Sequence, residues 1–124
     1  MILKGLVEAG AGRGKSQFVP TINVLLKDDI PAELRYGVYC CNVNVFGVGL
    51  FKGVVHYGPR ESIDGLITFE VHLLDFSSDI YGVEVEVEVM VNRKIRDIIK
   101  FESLEDLKLQ ILSDIEVARG LLTD

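Results

Sequence analysis

The sequence predicts an α+β fold that is mainly β: six strands closed into a barrel, with one C-terminal helix packed on it. Three observations carry this. Up to Met90 the chain consists of short β-rich runs punctuated by glycine, a three- and four-residue apolar period is confined to the last twenty or so residues, and the connections are polar or glycine-rich. Strands are expected at 2–7, 22–26, 36–46, 50–57, 66–76 and 83–92. Closure into a barrel leaves none of them with a long unpaired edge. The last strand alternates cleanly, with Val83, Val85, Val87, Val89 and Val91 on one face and Glu84, Glu86 and Glu88 on the other, so one side of it is wet. The helix is expected to begin at Ser103, whose hydroxyl can cap free amides while Glu105 and Asp106 favour the positive end of the helix dipole. Leu104, Leu107, Ile111, Ile115, Ala118 and Leu122 then form the stripe that faces the barrel.

At 124 residues the chain fits one domain, taken as 1–124. With 48% hydrophobic and 26% charged residues it has the composition of a globular protein and can bury a core without disulfides or a structural metal. Cys40 and Cys41 leave an extended strand on opposite faces, a poor geometry for a bridge, so free, at least half-buried thiols are expected. Lys4, Gly5 and Glu8 interrupt the first apolar residues, which excludes a secretory h-region, and no run reaches the ~18 apolar residues of a membrane span. The expected compartment is the reducing cytoplasm. A formal net charge of −6 opposes attraction to nucleic acid, so an anionic partner must be small and met by a local site. No feature points to an obligatory protein partner.

Four features could carry chemistry, and each has a plainer alternative. Gly10, Gly12 and Gly14, with Arg13 and Lys15 among them, offer flexible amides and two cations able to wrap phosphates. Without P-loop spacing or a following amphipathic helix, they equally suit a hairpin connection. In the segment after Pro20, Thr21 and Asn23 point to one side about 6.5 Å apart, with Ile22 turned into the core. Their two neutral oxygens suit Mg²⁺, which keeps several waters and takes further ligands from nucleotide phosphates; otherwise they are two polar residues on an outer strand face. In the fifth strand Ile67, Phe69, Val71 and Leu73 share one face and Thr68, Glu70 and His72 the other, which makes Glu70 either a general base for a hydroxyl or one more solvated carboxylate. Arg93, Lys94 and Arg96, placed between the last strand and the helix, could form a flap with Lys100 and Phe101 or an ordinary basic connection. His56 and His72 lack the close spacing of a zinc site, which leaves each a structural or solvent-exposed role.

Taken in order, these segments resemble the ATP-dependent riboflavin kinase family, which occurs as a free-standing enzyme and as the C-terminal module of bifunctional FAD synthetases. The resemblance runs through GAGRG (10–14), PTIN (20–23), PAELRYGVYC (31–40), GVVHYGPR (53–60), FEVHLLDF (69–76), DIYG (79–82), IRDIIKFESLEDLKLQI (95–111) and DIEVAR (114–119). It implies a six-stranded antiparallel Greek-key barrel closed by the C-terminal helix. It also implies transfer of the γ-phosphate of ATP to the ribityl 5′-hydroxyl of riboflavin, giving FMN and ADP, with Mg²⁺. Thr21 and Asn23 then resemble the Mg²⁺–nucleotide contacts, Gly10 to Lys15 the ATP loop, Glu70 the catalytic base, and Arg96, Lys100 and Phe101 part of the flap beside the isoalloxazine.

The chain departs from the family pattern in the loop ending at Val19, at Ile22 where alanine is usual, in a longer last strand and at Glu61 and Ser62. The altered loop motivates the alternative of a non-catalytic flavin-binding module of the same fold. A third reading is a plain interaction domain. Riboflavin and ATP are the expected small-molecule partners, and 124 residues leave no room for a second, FAD-forming domain.

Overall fold

Apolar residues at every second position give each strand a dry face, and the structure rolls these faces inward. The computed structural model describes residues 1–7, 21–59, 65–75 and 85–122. Its elements are β1 (Ile2–Val7), β2 (Thr21–Leu26), β3 (Gly37–Val45), β4 (Gly49–Pro59), β5 (Ile67–Leu73), β6 (Glu86–Arg96) and α1 (Leu104–Leu121). All neighbouring strands are antiparallel, and the order β1-β2-β5-β4-β3-β6 closes on itself because β1 also pairs with β6. The meander β3-β4-β5 is flanked by β2 beside β5 and β6 beside β3, which is the Greek-key arrangement.

The barrel interior is filled by Leu3, Val7, Ile22, Val24, Cys41, Val43, Val45, Val55, Phe69, Val71, Leu73, Val87, Val89 and Val91. Burial of each such side chain stabilises the fold by roughly 1.5–3 kcal/mol relative to exposure. Ile22 is fully buried here, so the larger residue at this position is accommodated by the barrel core itself. A second apolar cluster lies outside the barrel wall, where Ile111, Ile115, Ala118 and Leu122 of α1 cover Val38, Cys40, Val54 and Leu74. Cys41 thus points into the barrel and Cys40 beneath the helix, and both thiols are free and buried. Burial, with Cys40 beside it, pushes the Cys41 thiol well above its ordinary range.

The helix is capped as its sequence dictates: Ser103 Oγ accepts from the Asp106 amide at 3.1 Å, with Glu105 and Asp106 in the first turn. Ser103→Ala should cost about 1 kcal/mol in urea-induced unfolding. Leu104, expected in the apolar stripe, is instead 73% exposed; it opens the first turn, before the helix reaches the barrel. Among the described residues no helix is long and apolar enough to cross a membrane.

Two strand boundaries differ from expectation with consequences for the site. β5 ends at Leu73, and a turn with Asp75 at φ 57° follows. More important, β6 continues to Arg96, so Arg93, Lys94 and Arg96 belong to a strand rather than to a connection. Register shifts between Val38, Tyr39 and Cys41 in the pairing with β6 break the alternation beyond Val91 and hide the strand's continuation from the sequence.

Candidate active site

Strand order brings the polar faces of β2, β5 and β4 side by side on the outer wall of the barrel. In the antiparallel register Asn23 lies opposite Glu70, and Glu70 lies opposite His56. The same lateral row continues through Val38 to Arg96 on β6. One row over, Thr21 lies opposite His72, and His72 opposite Val54. Neighbouring strands are about 4.8 Å apart, so hydroxyl, amide, carboxylate and imidazole groups from three distant segments share one surface.

Thr21, 5% exposed, and His72, 8% exposed, are joined by a 2.8 Å hydrogen bond between Thr21 Oγ1 and His72 Nδ1. Asn23 and Glu70 are half-buried, and Glu70 Oε1 accepts from Thr68 Oγ1 at 3.0 Å. Asn23 Oδ1 and His56 Nδ1, the atoms that flank the carboxylate row, are buried and find no hydrogen-bond partner among the described residues. Buried polar atoms are nearly always paired, so these two, one on either side of the carboxylate, are exceptions to the rule.

The surroundings keep both histidines neutral near pH 7. Burial pulls His72 down to about 4, with the neighbouring His56 adding to the effect. Burial also lowers His56, while the adjacent Glu70 pulls it back upward. For His72 the folded value lies below the ordinary 6.5 of the unfolded chain. The unfolded state therefore binds the extra proton, and stability is fully present above about pH 6.5 and lost as pH falls toward about 4. His72→Gln should remove this dependence: in urea titrations at pH 7 and pH 4 the native chain loses about 3 kcal/mol more than the variant.

The far end of the row is held by a buried ion pair. Arg96 donates from Nε and Nη2 to both carboxylate oxygens of Asp114 at 2.9 to 3.1 Å, with the two side chains 14% and 5% exposed. Gln110 Nε2 donates to Asp114 Oδ1 at 3.0 Å, and Arg96 Nη1 to the Asp97 carbonyl at 2.9 Å. The guanidinium lies 5.8 Å from the Phe101 ring centroid. The chain leaving β6 thus folds back over the site's margin. There Ile98 and Tyr36 pack so closely on Gly58, at φ 142°, that a Cβ would meet them at 3.2 Å.

The structure therefore unites Thr21, Asn23 and Glu70, and places Arg96 in the same row with Phe101 stacked on it, while exposed Lys100 lies in the connection to α1. Gly10, Gly12, Arg13, Gly14 and Lys15 lie outside the described residues. Sequence reasoning missed Asp114, whose signal is a carboxylate inside the apolar stripe, three residues after Ile111 and four before Ala118. It also missed the placement of His56 beside Glu70, which no local pattern reveals.

Chemically, such a row on the outer wall of an antiparallel barrel can offer hard oxygens to a cation and a base to a hydroxyl, a combination suited to a transferase acting on an alcohol. Comparison with known proteins narrows the class. A family model described as Flavokinase: Riboflavin kinase matches residues 1–122. The chain is 43% identical over 118 residues to the bifunctional riboflavin kinase/FMN adenylyltransferase of Haemophilus influenzae, covering 94% of this chain and 37% of that protein. Among solved structures, riboflavin kinase from Trypanosoma brucei matches with a TM-score of 0.63 at 25% identity, covering 98% of this chain and 78% of that one. A Streptococcus pneumoniae protein described as a macrolide-efflux protein matches with a TM-score of 0.76 at 35% identity, covering 95% of this chain and 38% of that one. The chain belongs to the riboflavin kinase family.

Proposed function

We propose that the chain transfers the γ-phosphate of ATP to the ribityl 5′-hydroxyl of riboflavin, giving FMN and ADP. The observation that carries this reading is the register that sets Asn23 against Glu70, with Thr21 one row away, on a surface with unpaired buried polar atoms. Family membership names the reaction, and the outer row supplies groups suited to it.

Mg²⁺ fits Thr21 and Asn23 by donor chemistry: a hydroxyl and an orphaned amide oxygen are hard ligands, and the ion takes its others from water and phosphate. When bound, it neutralises charge on the phosphates. Among the described residues no cluster of three histidine, cysteine or carboxylate ligands exists to hold a metal without such help. His72 orients Thr21: with the imidazole proton on Nε2, Nδ1 accepts the hydroxyl hydrogen and fixes the direction of the hydroxyl.

Glu70 accepts the proton of the 5′-hydroxyl as it attacks the γ-phosphorus, and phosphoryl transfer asks little further covalent work of the protein. The amides and cations from Gly10 to Lys15 hold the phosphate tail, and Arg96, Lys100 and Phe101 border the isoalloxazine. The Asp114 pair fixes Arg96 as a platform for Phe101, so its contribution to the flavin is by stacking and shape. The two buried, unpaired thiols support action in the reducing cytoplasm.

The test is steady-state synthesis by purified protein of FMN from riboflavin, ATP and Mg²⁺, followed by chromatography. Many turnovers per chain are expected. Saturable flavin binding without FMN would contradict the reading in favour of a binding module.

A further inference from the structure

Glu70 has four neighbours on the outer face of the wall. Asn23 and His56 lie across the adjoining strands, and Thr68 and His72 lie two residues away along β5, in opposite directions. His72 is engaged with Thr21. Thr68 stands on the other side of Glu70, about 6.5 Å along the strand, and its hydroxyl donates to Glu70 Oε1 at 3.0 Å. The bond draws the carboxylate toward residue 68 and away from the Thr21–His72 pair. A glutamate side chain turns about three bonds, and from this position it can lean along the strand either way or across it. A general base, by contrast, must stand within about 2.6–3.2 Å of the proton it takes, and a misplacement of about 1 Å can slow a reaction on the order of 10²-fold.

Thr68 is well made to fix one direction. Its branched side chain is stiff about χ1, and it is half-buried. Gly58 lies opposite it on β4, and the space a side chain would fill there is taken by carbon atoms of Tyr36 and Ile98. Those carbons offer the hydroxyl no competing acceptor. We infer that Thr68 is a positioning residue for Glu70, its hydrogen bond holding the carboxylate turned to the acceptor hydroxyl and away from the Thr21–His72 pair. This rests on the riboflavin kinase reading and deepens it by naming the residue that aims the base. Because the base acts in the transition state, the loss of its aim is felt in kcat and leaves ground-state binding alone.

The test combines Thr68→Val, Thr68→Ser and Glu70→Gln. Valine keeps the branched shape and suits a strand, so the fold is retained and the hydroxyl alone is lost. Thr68→Val should lower kcat for FMN formation about tenfold, the effect of one hydrogen bond to a charged group, while KM for riboflavin and for ATP changes about twofold or less. Serine keeps the hydroxyl and should recover most of the loss, though not all, since its side chain turns more freely. In the Glu70→Gln background, where no base remains to be aimed, Thr68→Val should lower kcat no further, a coupling that a merely structural role does not produce. Urea unfolding checks the fold of each variant, and Thr68→Ala takes the place of the valine variant should that one not fold. An unchanged kcat in Thr68→Val, an equal loss in Thr68→Ser, an effect confined to KM, or the same fall in the Glu70→Gln background would overturn the inference, while FMN formation by the native chain upholds the kinase reading. A native chain that forms no FMN would overturn that reading and the role of Thr68 with it.

Discussion

Glu70→Gln should lower kcat for FMN formation by about 10²- to 10⁴-fold while the dissociation constants for riboflavin and ADP change about twofold or less. Glutamine matches glutamate in size and keeps an oxygen to accept from Thr68, so the local strand geometry survives. What it loses is the capacity to take a proton. A hydroxyl attacking without a base must develop its positive charge unaided, a penalty felt in the transition state and not in the ground-state complex. Steady-state kinetics with calorimetric binding separates the two quantities. A parallel fall in affinity would mean that Glu70 serves mainly in binding, and undiminished turnover would remove it from the mechanism.

Asp114→Ala should destabilise the chain by about 3–5 kcal/mol in urea unfolding at pH 7, because it strands the Arg96 guanidinium in a site that leaves it only 14% exposed. The carboxylate accepts three hydrogen bonds from Arg96 and one from Gln110, and no neighbouring group in that network can replace it. The pair also ties α1 to the end of β6, next to the Phe101 platform, so flavin affinity should fall along with stability. By contrast Arg119 and Asp75, although joined through two 3.0 Å hydrogen bonds, are an exposed pair whose removal should change stability little.

Which residues could be read from the chain, and which could not, follows from the range of the forces involved. Alternation is local: Val87, Val89 and Val91 against Glu86 and Glu88, or Ile22 between Thr21 and Asn23, declare their faces to any reader of the sequence. The Ser103 cap is likewise written within four residues. Register between distant strands is not local. That Asn23 faces Glu70 and Glu70 faces His56 depends on β2, β5 and β4 being neighbours, an outcome of closing the whole barrel. The resemblance to a family could name Thr21, Asn23 and Glu70, but it could not say that His56 lies in the row of Asn23 and Glu70. Arg96 and Asp114 illustrate a different limit: the bulged pairing with β3 disguises the strand bearing Arg96, and the partner of a lone carboxylate within an apolar stripe is supplied only by the folded chain.

Where the ligands sit decides whether this row is the active site. Titrating ¹⁵N-labelled protein with Mg²⁺–ADP and then riboflavin, and following the backbone amides, locates both sites in one experiment. The nucleotide should move the amides of Thr21, Asn23 and His72, and riboflavin those of Glu70, His56 and Phe101, with the two groups adjoining across β5. Flavin-induced shifts centred instead on the opposite wall, around Ile2, Asn42, Leu50 and Met90, with the β2-β5-β4 row unmoved, would contradict it.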